Sequence, residues 1–110
     1  RMRRLRVSGG GSQSAQAMQI TADVFGLVAE RPHTYETSAL GASMCVAVGL
    51  GMHPSFEVAV SKMTRTGDSF TPRPEASRIY DQLFRRVYRP MYGRLQPLYQ
   101  AIRDITGYPR

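Results

Sequence analysis

The spacing of apolar residues changes several times along the 110-residue chain, and each change predicts an element. Leu5 and Val7 alternate with polar neighbours on the approach to Gly9, which predicts a short strand over about residues 4–8. From Gln13 the period becomes helical: Ala15, Met18, Ala22 and Phe25 fall near one face, with Ile20 and Val24 beside it. Ser12 or Ser14 can cap this helix by accepting from a backbone N–H, and Gly26 suits the position that ends it. Leu27 to Glu30 reads as a second short strand, stopped by Pro32. The order strand–helix–strand predicts a parallel, right-handed crossover.

The next helix, Thr37 to about Leu50, carries no charge on any face. Small residues (Ala39, Gly41, Ala42, Ser43, Ala47, Gly49) alternate with Leu40, Met44, Val46 and Val48, so burial on several sides is expected. Thr34 or Thr37 is its expected cap, with Glu36 well placed for its first turn. Ser55 is expected to cap a short helix over Phe56 to Met63, and residues 64–74, rich in Thr, Gly, Asp, Ser and Pro, read as a loop. From about Pro74 to Thr106 one long helical pattern follows, through Ile79, Leu83, Val87, Met91, Leu95, Leu98, Ile102 and Ile105. Tyr80, Phe84, Tyr88, Tyr92 and Tyr99 widen this stripe. Pro90 and Pro97 each remove a backbone donor, so a kink or restart is expected at both, and Gly107 and Pro109 close the segment. Two short strands do not make a stable sheet, which predicts that partner strands lie outside this stretch. The lack of an initiator Met points the same way.

Composition narrows the class. The length suits one small domain, and 42% apolar residues are enough for a core. No apolar run approaches a membrane span, and the Arg-rich N-terminus lacks the apolar region of a signal peptide. Cys45, the single cysteine, excludes an internal disulfide and fits a reducing compartment. Its place in the uncharged helix suggests a small core residue. His33 and His53 stand far apart with no Cys partner at ligand spacing, so no metal site is expected.

The net charge of +7 is unevenly spread: residues 1–6 carry four Arg and residues 73–110 carry eight. Arginines interleaved with tyrosines in the last segment could stack single-stranded nucleic acid, but solvated arginines around a packed apolar stripe explain the pattern more simply. No nucleic-acid or membrane partner is expected.

The chemistry concentrates in Ser8-Gly9-Gly10-Gly11-Ser12-Gln13-Ser14, a glycine turn between strand and helix. Three consecutive glycines cost chain entropy, and the usual need is an unusual backbone angle or a ligand close to the main chain. The helix start beyond offers free N–H groups and partial positive charge, favourable to a nucleotide. A phosphate-binding P-loop is excluded because no Gly-Lys-Ser/Thr follows. A dinucleotide fingerprint fits in part: Gly9 and Gly11 match its first two glycines and Glu30 stands where an acid would meet a ribose, but Ser14 occupies the third glycine position. A tight turn with no ligand is the third reading.

That stretch, followed by Gln19, Ala22-Asp23 and Gly26, resembles the C-terminal portion of the FGGY family of carbohydrate kinases. Glu36-Thr37-Ser38-Ala39-Leu40-Gly41-Ala42 resembles that family's Glu-Ala-Thr-Ala-Leu-Gly-Ala stretch, and Phe70-Thr71-Pro72 ahead of the helix with Tyr80 resembles its Phe-x-Pro segment. The resemblance implies an α/β fold. The chain would be a C-terminal fragment of an actin-like, ribonuclease-H-like ATPase domain, with two short strands, three to four helices and a long kinked C-terminal helix. Residues 1–72 would hold the strand–turn–helix part and residues 73–110 the terminal helical segment. It further implies transfer of the γ-phosphoryl of Mg-ATP to a sugar or polyol, with Gly9, Gly10 and Gly11 approaching the adenine and ribose by their main chain. Ser14 stands where some members have an Asn that contacts adenine. The catalytic base, the metal-holding groups and most sugar contacts would lie upstream in the same kinase, so this segment is expected to be inactive alone, and Asp23 is expected to be structural. A cytoplasmic location is expected, and a homodimer is left open. The alternatives are an NAD-type fragment of an oxidoreductase and a basic helical interaction module.

Overall fold

A computed structural model describes residues 2–108. Pro109, expected to help close the last helix, and Arg1 lie outside the described residues. The elements are β1 (Arg4–Arg6), a 3-10 turn (Gly10–Gln13), α1 (Ala15–Phe25), β2 (Val28–Pro32), α2 (Thr37–Gly49) and α3 (Phe56–Met63). There follow β3 (Thr66–Phe70), α4 (Pro74–Leu83), a π-helical turn (Phe84–Tyr88) and α5 (Arg89–Thr106).

The three strands form one sheet with β2 in the middle. β1 pairs parallel to β2, Leu5 opposite Ala29, as the crossover through α1 predicts. β3 pairs antiparallel on the other side, Ala29 opposite Phe70 and Glu30 opposite Ser69. This third strand corrects both the loop expected over 64–74 and the count of two strands. Thr66–Phe70 lacks apolar alternation, and Phe70 is its one partly buried residue, so pairing with β2 makes it a strand. The β2–β3 register shifts between Glu30 and Pro32, where proline cannot donate to a ladder. Opposite that irregularity the backbones come close: a Cβ on Gly67 would stand 3.0 Å from the Pro32 carbonyl oxygen and 3.1 Å from that of Arg31.

α1 begins as its capping signal predicts. Ser14 is the N-cap, and its Oγ accepts from the Ala17 N–H at 3.2 Å. Gly26, with φ +60°, ends the helix in the left-handed conformation. Met18 and Ala22 on α1 and Ala29 on β2 form the core, with Leu5, Val7 and Phe70 packed against it. Phe25, expected on the buried face, is exposed. Ser55 caps α3 by accepting from the Val58 N–H. Neither Thr34 nor Thr37 caps α2: Glu36 takes the N-cap position, and the Thr34 hydroxyl accepts from the Glu36 N–H.

α2 buries Met44 and Ala47, while Val46 and Leu50 are exposed. Burial on several sides is therefore not realised among the described residues, and Cys45, expected in the core, is exposed. The C-terminal segment behaves alike. α4 packs on α1, but Ile79, Leu83, Val87, Leu98, Ile102 and Ile105 are all exposed. The π-helical turn lies just before Pro90: proline has no N–H for the Arg86 carbonyl and its ring crowds it, so the preceding turn widens. α5 runs through Pro97 without a break. The radius of gyration is 20.6 Å, against about 13 Å for a compact chain of this length, because α5 extends from the body. Among the described residues no helix is long and apolar enough to cross a membrane.

Candidate functional site

The glycine turn leaves the end of β1, where the Val7 N–H still donates to the Glu30 carbonyl at 2.9 Å. Gly9 has φ +89° and ψ 178°, a conformation that side chains all but forbid. Its carbonyl then receives two donors from one residue, the Ser12 N–H at 3.0 Å and the Ser12 Oγ at 2.7 Å. Ser12 is thereby buried. The chain closes into α1 through Ser14, whose N–H donates to the Gly11 carbonyl at 3.4 Å. Besides capping, the Ser14 Oγ donates to Gln16 Oε1 at 3.3 Å.

The three glycines are not equivalent. Only Gly9 has positive φ. A Cβ placed on Gly9, Gly10 or Gly11 would find no atom within 4 Å. Backbone geometry therefore demands glycine at position 9, whereas positions 10 and 11 have neither a torsional nor a packing need for it among the described residues. What they provide is a stretch of bare main chain facing open space. Gly9, Gly10, Gly11 and Ser14 all lie on this one turn and helix start, as expected.

The turn is held from the sheet by Arg31, which the sequence reading did not single out. Its Nη1 donates to the carbonyls of Ser12 at 2.9 Å and Gln13 at 3.0 Å. Its Nε donates to Asp68 Oδ2 at 3.0 Å, Nη2 reaches the same oxygen, and the guanidinium stands 5.6 Å over the Phe70 ring. Asp68 thus has a cationic partner on β2 rather than a place in a free loop. Beside Arg31 a cavity of about 390 Å³ opens between Ser12, Gln13, His33, Tyr35 and Asp68.

Asp23 is structural, as expected, but its role joins two elements. The buried carboxylate accepts from the Arg73 N–H at 2.7 Å, from Arg73 Nε at 3.0 Å and Nη2 at 2.6 Å, and from Gln19 Nε2 at 3.1 Å. Arg73 is the N-cap of α4, so Asp23 on α1 anchors the start of that helix. The side-chain bond from Arg73, then its backbone N–H, holds the Asp23 carboxyl below the usual range, and the carboxylate in turn raises Arg73. Gln19 also donates to the Thr71 carbonyl at 2.9 Å, tying the segment before α4 to α1.

Glu30, the residue a ribose would need in the dinucleotide reading, is buried and accepts from Arg4 Nη1 at 2.9 Å. His33 Nδ1 lies against the Arg65 backbone at 3.2 Å. Among the described residues no group of three His, Cys, Asp or Glu side chains is placed to hold a metal ion.

A turn of bare main chain joins a parallel strand to a capped helix in a mixed α/β fragment, and the comparisons name the family. Residues 1–50 match the FGGY family of carbohydrate kinases, C-terminal domain. An uncharacterized sugar kinase of Escherichia coli is 39% identical over 77% of this chain and 17% of its own length. The L-xylulose/3-keto-L-gulonate kinase of Escherichia coli is 32% identical over 93% of this chain and 20% of its own. Among solved structures, the xylulose kinase from Rhodospirillum rubrum superposes with a TM-score of 0.67 at 31% identity, over 89% of this chain and 20% of that one. The chain belongs to the FGGY family of carbohydrate kinases, and its fold is that of a fragment of their actin-like ATPase domains. It spans about a fifth of the length of the curated relatives it matches. The relatives give the oxidoreductase reading no support, and the engaged Glu30 carboxylate removes its acidic residue.

Proposed function

We propose that this chain is the C-terminal part of an ATP-dependent carbohydrate kinase, with the turn Gly9–Gly11 forming the adenine and ribose side of the ATP site. The carrying observation is the pair Gly10 and Gly11, bare and open where the fold itself has no need of glycine. A flat base and a ribose can lie against main chain that lacks side chains, and the residues present fit a nucleotide in that sense. Ser14 stands at the end of the turn, its hydroxyl already engaged in capping α1, so its contact with the base would be made at its exposed side. We divide the segment into residues 1–72, with the turn and the sheet, and residues 73–110, a division supported by the docking of α4 through Asp23 and Arg73.

ATP supplies the γ-phosphoryl group that passes to a sugar or polyol hydroxyl. Such transfer depends on positioning and on electrostatic stabilisation of charge. This chain contributes positioning: its main chain orients the nucleoside end. The base that takes the hydroxyl proton, the phosphate contacts and the groups around Mg2+ belong to the remainder of the enzyme. The segment alone is therefore inactive, and the whole enzyme works in the cytoplasm, where ATP is supplied.

The test is calorimetry on the full-length enzyme with ATP and with NAD, followed by an ATP-turnover screen against pentuloses, hexuloses and polyols. Xylulose and 3-keto-L-gulonate come first, because relatives are named for them. ATP binding, its loss in Gly10→Val with the fold intact, and turnover with a sugar are expected. Binding of NAD without ATP, or an ATP affinity unmoved by Gly10→Val, would overturn the proposal.

A further inference from the structure

We propose that Arg31 is a positioning residue for the nucleotide site, holding the glycine turn in its binding conformation through the carbonyls of Ser12 and Gln13. The inference rests on the nucleotide reading above and adds to it a residue on the neighbouring strand.

Arg31 projects from the middle strand of the sheet and is only 24% exposed. Its hydrogen bonds divide into two groups. One nitrogen serves two consecutive carbonyls at the end of the 3-10 turn, Ser12 at 2.9 Å and Gln13 at 3.0 Å. The other two serve Asp68, which stands across the sheet on β3. The planar fork permits both at once, and the Phe70 ring beneath it at 5.6 Å fixes the plane. A lysine would bring the charge without the fork.

The restraint continues past Arg31. Ser12, whose carbonyl Arg31 holds, uses both its N–H and its hydroxyl on the Gly9 carbonyl. Asp68, Arg31, Ser12 and Gly9 therefore form one connected path from the sheet edge to the first glycine. No Arg31 atom lies within 4 Å of the position a Cβ would take on Gly9, Gly10 or Gly11. Arg31 thus holds the end of the turn and leaves the space around the three glycines clear. A glycine run is the backbone with most freedom to lose on ordering. A turn already ordered by Arg31 binds its ligand without that cost, which is preorganisation in the ordinary sense.

The experiment uses the full-length kinase with Arg31→Met, Arg31→Lys and Asp68→Asn. ATP affinity is measured by calorimetry, stability by thermal melting, and KM for ATP against kcat with the sugar the panel selects. Arg31→Met is expected to weaken ATP binding by about tenfold or more, the scale of one lost charge-assisted hydrogen bond. Arg31→Lys, lacking the fork, is expected to recover little of it, and Asp68→Asn to weaken binding less than Arg31→Met. KM for ATP should rise while kcat at saturating ATP stays within about twofold, the signature of lost uniform binding. Wild-type ATP affinity in Arg31→Met or in Arg31→Lys overturns the proposal. Should both Arg31 variants fail to fold, Asp68→Asn decides, because Asp68 is an exposed side chain, and an unchanged ATP affinity there overturns the proposal. Failure of the underlying reading looks different: the wild-type enzyme would not bind ATP, or Gly10→Val would bind it normally.

Discussion

Replacing each glycine of the turn by alanine separates a backbone need from a ligand need. Gly9, at φ +89° and ψ 178°, occupies a region that alanine enters only with strain. Nothing lies within 4 Å of its Cβ position, so the penalty is torsional alone, about 1–3 kcal/mol. Gly10 and Gly11 have no positive φ and the same empty surroundings. Alanine there removes freedom from the unfolded chain at no native cost and should stabilise by about 0.4–1 kcal/mol. The two groups thus differ in sign. With ATP present the order changes. A methyl group pressed into a fitted ligand costs about 1–3 kcal/mol, roughly five- to 150-fold in Kd, for Gly10→Ala and Gly11→Ala. Urea unfolding of the full-length enzyme without nucleotide reads the first effect, and calorimetric titration with ATP reads the second. If Gly10→Ala without ATP unfolds as early as Gly9→Ala, the bare main chain serves packing and the reasoning fails. If Gly10→Ala is stable but binds ATP as the wild type does, the ligand does not lie against this turn.

Three further outcomes follow from the frame around the turn. Asp23→Asn should lower stability at neutral pH, because the bonds from Arg73 favour the charged carboxylate. Since the folded carboxyl is held below its ordinary 3.8, this contribution is full above that value and disappears as pH falls through the lower folded one. Urea unfolding of wild type and variant between neutral and strongly acid pH should show two curves that converge below 3.8. Ser14→Ala should cost about 1 kcal/mol through loss of the α1 cap, whereas Ser14→Asn keeps a good capping group and should melt like the wild type. Gly67→Ala should lower stability by about 1–3 kcal/mol, since its methyl would meet the Pro32 and Arg31 carbonyls, and a drop in melting temperature checks it.

The features readable in the sequence are those whose cause lies within a few residues. The Ser14 and Ser55 caps, the Gly26 stop and the disturbance before Pro90 are all set by contacts one helical turn away. The glycine turn was readable for the same reason. β3 was not, because Thr66–Phe70 becomes a strand only by pairing with β2 and by its Asp68 meeting Arg31, 37 residues earlier. The Asp23–Arg73 anchor spans 50 residues, and a lone acid on a helix carries no local mark of such a partner. The apolar character of α2 and of the last helices was also legible, but a periodic pattern does not say whether a neighbour covers it. Val46, Cys45 and Ile105 are accordingly exposed.

The division has a physical consequence for how the site works. An open glycine run has no side chains with which to hold its own shape, so its conformation must be imposed by neighbours. Two restraints are local, the paired Ser12 bonds to the Gly9 carbonyl and the Ser14 cap that starts α1. The others come from afar: Arg31 on the middle strand grips the end of the turn, and Asp68 on the last strand fixes Arg31. The segment over 64–74, which looks like a polar loop, is therefore part of what shapes the turn. A substitution at Asp68 should reach the turn, and with it the proposed nucleotide site, through the Arg31 side chain. The weakly patterned stretch of the chain is thereby tied to its most conspicuous motif.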